Sequence, residues 1–129
     1  MTFMRIKKFE DLDCWKEARI LVQDVYKATR DGDFRKDYRL AGQIQGAATS
    51  VMANAAEGFV RHSDKEFIQF LFIAMSSAAE VQSHLYVALD QGYLSQEVFE
   101  SLYSQADKTG RIISGLITYL RTKSTRSTK

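Results

Sequence analysis

Few residues in this chain are placed to do covalent chemistry. The chain holds two histidines and one cysteine among its 129 residues. His84 follows Glu80 by four positions, which puts them on one helical face. A di-iron bundle instead needs Glu-x-x-His pairs on two helices and two further inward glutamates. His62 has no glutamate three residues before it, so neither histidine fits. No His-Glu-x-x-His and no glycine-rich phosphate loop is present. Cys14 stands near a helix start beside Trp15, a place that favours a lowered pKa. With no second cysteine and no histidine near it in sequence, it reads as structural, and no disulfide framework is possible. Serine, histidine and aspartate occur, but no spacing singles out a triad. We expect no enzyme, no metal and no cofactor.

Charge offers a different chemistry. The net charge is +2, but after Leu120 the chain reads Arg-Thr-Lys-Ser-Thr-Arg-Ser-Thr-Lys. Arg121, Lys123, Arg126 and Lys129 have no acid among them; without them 14 basic residues face 16 acidic ones, a net −2. The basic character lies in this tail, residues 121–129, which is too polar to bury itself and is expected to be a flexible arm able to meet phosphates. Asn54, Glu57 and Arg61 form a second constellation, spaced i, i+3 and i+7 on one side of a helix. Arg61 can pair with Glu57, and Glu66 and Glu80 lie on the following helix. The expectation is a corner network of Asn54, Glu57, Arg61, Glu66 and Glu80 in which Arg61 clamps carboxylates.

The elements that must carry these residues are helical. The composition is 45% hydrophobic and 26% charged with no proline, which suits one globular domain and offers little of the turn punctuation of a β-sandwich or barrel. Four amphipathic segments recur at steps of three and four, at about 11–28, 37–60, 63–90 and 95–120. Asp31-Gly32-Asp33 stops the first. Ser63 with Glu66 reads as a capping box for the third, Gln91-Gly92 as its end, and Ser95 as a cap for the fourth. Gly42 and Gly46 each cost helix propensity of about 1 kcal/mol and suggest close packing in the second. Short connections make consecutive helices antiparallel, so residues 1–120 are expected to form an all-α, up-down-up-down four-helix bundle.

That topology brings the N-terminus, the corner between the second and third helices, and the C-terminal tail to one end. A phosphate-facing surface there would use Arg5, Lys7, Lys8, Arg61, Lys65, Arg121, Lys123, Arg126 and Lys129, opposed by Glu10, Asp11, Asp13, Glu57, Asp64 and Glu66. Phe67, Ile68, Phe70, Leu71, Phe72 and Ile73 point in several directions around the third helix, which implies a partner surface and self-association. No apolar stretch has signal-peptide or membrane-spanning length, so the expectation is a cytoplasmic protein with no membrane role.

The run Asn54-Ala55-Ala56-Glu57-Gly58-Phe59-Val60-Arg61-His62-Ser63 resembles the Asn-Ile-Ala-Glu-Gly-x-x-Arg-x-Ser signature of the four-helix-bundle proteins first met as open reading frames in 23S ribosomal RNA intervening sequences. The resemblance extends in order from about Phe9 to Leu120. It includes Phe9, Leu12, Trp15 and Ala18; Leu40, Gln43, Ile44, Ala47, Ala48, Ser50 and Val51; Glu66, Phe67, Phe70, Leu71, Ala74, Ser77, Glu80 and Val81; and Gly92-Tyr93-Leu94. The chain departs from the pattern at Ala55, at Ser76, and in having no proline near the start of the second helix. The resemblance implies a homopentamer with no catalytic activity. More distantly, the chain is similar to the accessory protein of diversity-generating retroelements, a basic pentameric bundle that contacts a reverse transcriptase and nucleic acid. Two functions follow as expectations: a weak RNA- or DNA-binding accessory to a nucleic-acid-processing protein, or a protein-interaction scaffold with no nucleic-acid role.

Overall fold

The computed structural model describes residues 6–127, with side chains as far as residue 123. A 3-10 turn, Phe9–Asp11, leads into α1 (Asp13–Thr29), a short α2 (Gly32–Lys36), α3 (Tyr38–Phe59), α4 (Asp64–Asp90) and α5 (Gln96–Ser127). The long helices pair α1 with α3, α3 with α4, α4 with α5, and α5 back onto α1. This closes an all-α, up-down-up-down four-helix bundle, as the periodicity and the short connections dictate.

Helix ends follow local chemistry. The Ser63 hydroxyl accepts from the Glu66 amide at 3.2 Å, and the Ser95 hydroxyl from the Val98 amide at 3.1 Å. Helix α4 closes with Gly92 at φ +77°, Gly92 N–H donating to Leu89 and Tyr93 N–H to Ala88. That is the double hydrogen bond of a left-handed glycine cap.

Three boundaries differ from the sequence reading. The first long helix starts at Asp13, because the acids at 10 and 11 sit in the 3-10 turn instead. The connection after it holds α2, which buries Phe34 and stacks it on Tyr93 at 5.3 Å between ring centres. The last helix does not stop at Leu120 but runs on to Ser127, because Arg121-Thr-Lys contains no helix breaker.

The core is a single apolar cluster. Leu21, Leu71, Leu85, Ile113 and Leu120 are fully buried, each worth about 1.5–3 kcal/mol over an exposed side chain. On α3 the interior is small: Ala41, Ala47, Ala48 and Ala55 face inward. Gly42 and Gly46 do not join them. A Cβ added at either would meet nothing within 4 Å, so the close packing expected of them is absent in the subunit.

Candidate nucleic-acid interface and helix corner

The close approach occurs at Gly58. A Cβ there would stand 2.8 Å from Phe70 Cβ and 2.9 Å from Phe67 Cδ1. The tight α3–α4 connection folds α4 directly back over the last turn of α3, and glycine is the residue that leaves room. Phe59 packs edge-on against Phe67 at 6.0 Å. The corner is therefore held mainly by apolar contact.

Arg61 contributes at its surface. Its guanidinium donates to Glu57 Oε2 at 2.9 Å and lies 4.6 Å from the centre of the Phe70 ring. The two side chains are 40% and 54% exposed, so water screens the pair and its stabilisation is within about 1 kcal/mol. The expected five-residue network does not form as one; only Glu57 and Arg61 are joined. Asn54 donates to the Ser50 carbonyl at 2.8 Å and to Ser50 Oγ at 3.0 Å. The buried Ser77 hydroxyl donates to the same Ser50 Oγ at 2.9 Å, tying α4 to α3. Glu80 meets His84 at 3.1 Å, more than three turns beyond the corner. Among the described residues, neither Glu66 nor Glu80 reaches Arg61.

The basic end assembles as the topology requires, but it is balanced. Lys7, Lys8, Arg61, Lys65, Arg121 and Lys123 share it with six carboxylates, Glu10, Asp11, Asp13, Glu57, Asp64 and Glu66. Lys123 pairs with Asp64 at 3.7 Å. Arg121 lies over the Phe72 ring at 5.2 Å. Lys7, Lys8 and Lys65 have no carboxylate within ion-pair reach among the described residues. Arg5 and Lys129 fall outside the described residues; Arg126 lies on the last turn of α5, beyond the described side chains.

Cys14 is buried, and burial pushes its thiol up to about 12, overriding the hydrogen bonds from the helix N-terminus that act to lower it. The proximity to a helix start, which suggested the opposite, is outweighed by the loss of water. At the other end of the bundle Asp37 does two jobs. One oxygen accepts from the Leu40 amide at 3.1 Å and caps α3; the other accepts from the Tyr93 hydroxyl at 2.9 Å. That bond, with partial burial, raises the Tyr93 pKa. Tyr93 and Asp37 are 56 positions apart, a pairing that no local pattern signals.

Among the described residues no group of three or more His, Cys, Asp or Glu could hold a metal ion, and no helix is long and apolar enough to cross a membrane. A family model described as 23S rRNA-intervening sequence protein matches residues 10–115. A solved structure from Bacteroides thetaiotaomicron, a protein of unknown function from the S23 ribosomal protein family, superposes with a TM-score of 0.74 at 22% identity, covering 81% of this chain and 97% of that one. At that identity the likeness speaks for the fold. No curated protein matches the sequence.

Proposed function

The chain belongs to the 23S rRNA-intervening sequence protein family, and from that premise we propose that it is a non-catalytic, self-associating helical bundle that binds RNA or DNA weakly through the phosphate backbone. In this reading it is a homopentamer of the cytoplasm, works beside a nucleic-acid-processing protein, and needs no cofactor. The observation that carries the reading is the convergence at one end of the bundle of the N-terminal approach, the α3–α4 corner and the end of α5, with Lys7, Lys8 and Lys65 unmatched by a carboxylate among the described residues. Cyclic symmetry points every copy's end the same way. A balanced subunit end then becomes a ring in which the unmatched lysines and the basic last turns of α5 act together on one polyanion.

Fluorescence anisotropy of labelled RNA and DNA over a salt series tests this. The full chain is compared with Arg121→Gln/Lys123→Gln/Arg126→Gln/Lys129→Gln, which keeps helix-forming residues. Binding is expected to weaken steeply with salt, because counterions return to the phosphates, and to weaken further in the variant. Ile73 and Val87, 49% and 44% exposed on α4, favour the second reading, assembly alone. Absence of binding at low salt, with assembly intact, selects that scaffold reading.

A further inference from the structure

The cations of α1 are arranged unlike those at the bundle end. Lys16, Arg19, Lys27 and Arg30 are all exposed. At 3.6 residues per turn they fall, with Gln23, in an arc of about 80° on the face opposite buried Cys14, Ala18, Leu21 and Val25. At 1.5 Å per residue the stripe is about 21 Å long, the rise of about six phosphates on one strand of a duplex. None of the four is ion-paired to a carboxylate among the described residues.

Most of the surrounding acids lie off the stripe or are committed elsewhere. On the flanking α5, Glu100 accepts from Gln96 at 3.0 Å, Asp107 pairs with Arg111 at 2.8 Å, and Glu97 is exposed. Glu17 lies off the stripe, bonded by Gln105 at 2.9 Å and paired with Lys108 at 3.4 Å. Asp24 borders it near Lys27, and burial raises its pKa. Glu10 and Asp13 stand at the N-terminal end and Asp31 just past Arg30. Helix α3, which flanks α1, has one acid, Glu57, and that is paired with Arg61 at the corner.

The N-terminal end of the stripe also carries a ring. A surface depression of about 590 Å³ is lined by Glu10, Trp15, Lys16, Arg19, Ile20 and Gln23. Within it the Arg19 guanidinium lies 5.9 Å from the Trp15 ring centre, and Phe9 props the indole edge-on at 5.4 Å. Cations in line beside an aromatic–guanidinium platform are what a single strand uses: phosphates meet the charges and an unstacked base meets the platform. A duplex keeps its bases stacked and has nothing to offer the ring.

We infer that the outward face of α1 is the track on which this protein holds a single-stranded nucleic acid, with Lys16, Lys27 and Arg30 on phosphates and the Trp15–Arg19 pair against a base. The inference rests on the nucleic-acid reading above and extends the contact from the bundle end along the side of α1.

The test uses the full chain and a labelled uridine-rich 20-mer as RNA, as DNA and as duplex RNA. Lys16→Gln/Lys27→Gln/Arg30→Gln is compared with Lys7→Gln/Lys8→Gln/Lys65→Gln, each checked for unchanged melting. The α1 variant is expected to lose at least tenfold in affinity at low salt. Its salt slope should shrink by about two, three contacts at about 0.7 each on a single strand, while the end variant, which keeps the α1 track, loses less. Trp15 is the sole tryptophan, so its fluorescence should be quenched as a single strand binds. Loss confined to the end variant overturns the track and leaves the nucleic-acid reading standing; no binding by the parent overturns both. Tighter binding of duplex, or binding without quenching, overturns the single-strand contact. Equal binding of polyglutamate reassigns the stripe to an acidic protein segment and overturns the proposal.

Discussion

At the scale of single residues, what the chain withholds matters as much as what it places. Gly58 withholds a Cβ where Phe70 Cβ would be 2.8 Å away. Phe70 Cβ is fixed to its backbone and cannot swing aside, so Gly58→Ala should force α4 from α3. Overpacking costs of about 1–3 kcal/mol, reduced by the better helix propensity of alanine, leave a net loss of about 1–2 kcal/mol in urea unfolding. Gly46→Ala, where the added methyl meets nothing, should instead stabilise the subunit by about 0.5–1 kcal/mol. Similar behaviour of the two variants would contradict the corner as described. Cys14 is shut away from water. Its thiol is raised from an ordinary 9.0 to about 12, so the stability it contributes is complete below about pH 9 and is lost as pH climbs toward 12. At pH 8 a disulfide reagent should label it at once in denaturant and, in the native protein, only as fast as the helix opens. Rapid native labelling would show that the thiol is not sequestered.

Elements were legible where they depend on local sequence and illegible where they depend on distant partners. The stripes of the four long helices, the serine caps and the glycine stop all act within a few residues, and their effects are where the pattern puts them. Helix α2 escapes such a reading because five residues hold no period; its position comes from Phe34 finding Tyr93, nearly sixty residues later. The corner shows the same limit. The spacing of Glu57 and Arg61 correctly implied their pairing, but spacing alone could not show that Glu80 lies far along α4 or that Gly58, rather than Gly42 or Gly46, meets a neighbour. The basic stripe of α1 is periodic too, but Glu17 and Asp24 interleave with its cations along the chain, so the linear charge pattern hides what the helical angle separates. Asp37 ties two elements together. It caps α3 and holds Tyr93, so Asp37→Ala should cost about 1 kcal/mol from the cap alone and loosen the α4–α5 connection. Asp37→Asn, which keeps an accepting oxygen, should recover most of the loss in thermal melts. If both substitutions melt alike, the cap is not what holds that end.

For the whole molecule, the question is which face a second copy would cover. Each long helix turns one stripe inward, and that suffices for a single bundle. Helix α4 exceeds the requirement: Phe67 and Leu71 are buried, Ile68 and Phe70 half-buried, and Phe72 and Ile73 left in water. Between them and Val87, again exposed, the same face carries the small residues Ser76, Ala79 and Ser83 around Glu80, which is paired with His84 at 3.1 Å. Such a face has no use inside the subunit, while between subunits it would let helices approach closely with Ile73 and Val87 as the desolvated contacts. The basic track on α1 lies on a different helix, diagonal to α4 in the bundle. Assembly through α4 would therefore leave α1 facing outward in every copy. Ile73→Lys/Val87→Lys should drop the sedimentation coefficient to that of a monomer while helix content, read by circular dichroism, stays the same. Because repeated tracks raise the effective concentration of phosphate contacts, the monomeric variant should also bind long single strands at least tenfold more weakly than the parent while binding short ones equally. An unchanged sedimentation coefficient would place the assembly face elsewhere; a monomer that kept its grip on long strands would show that each subunit binds alone.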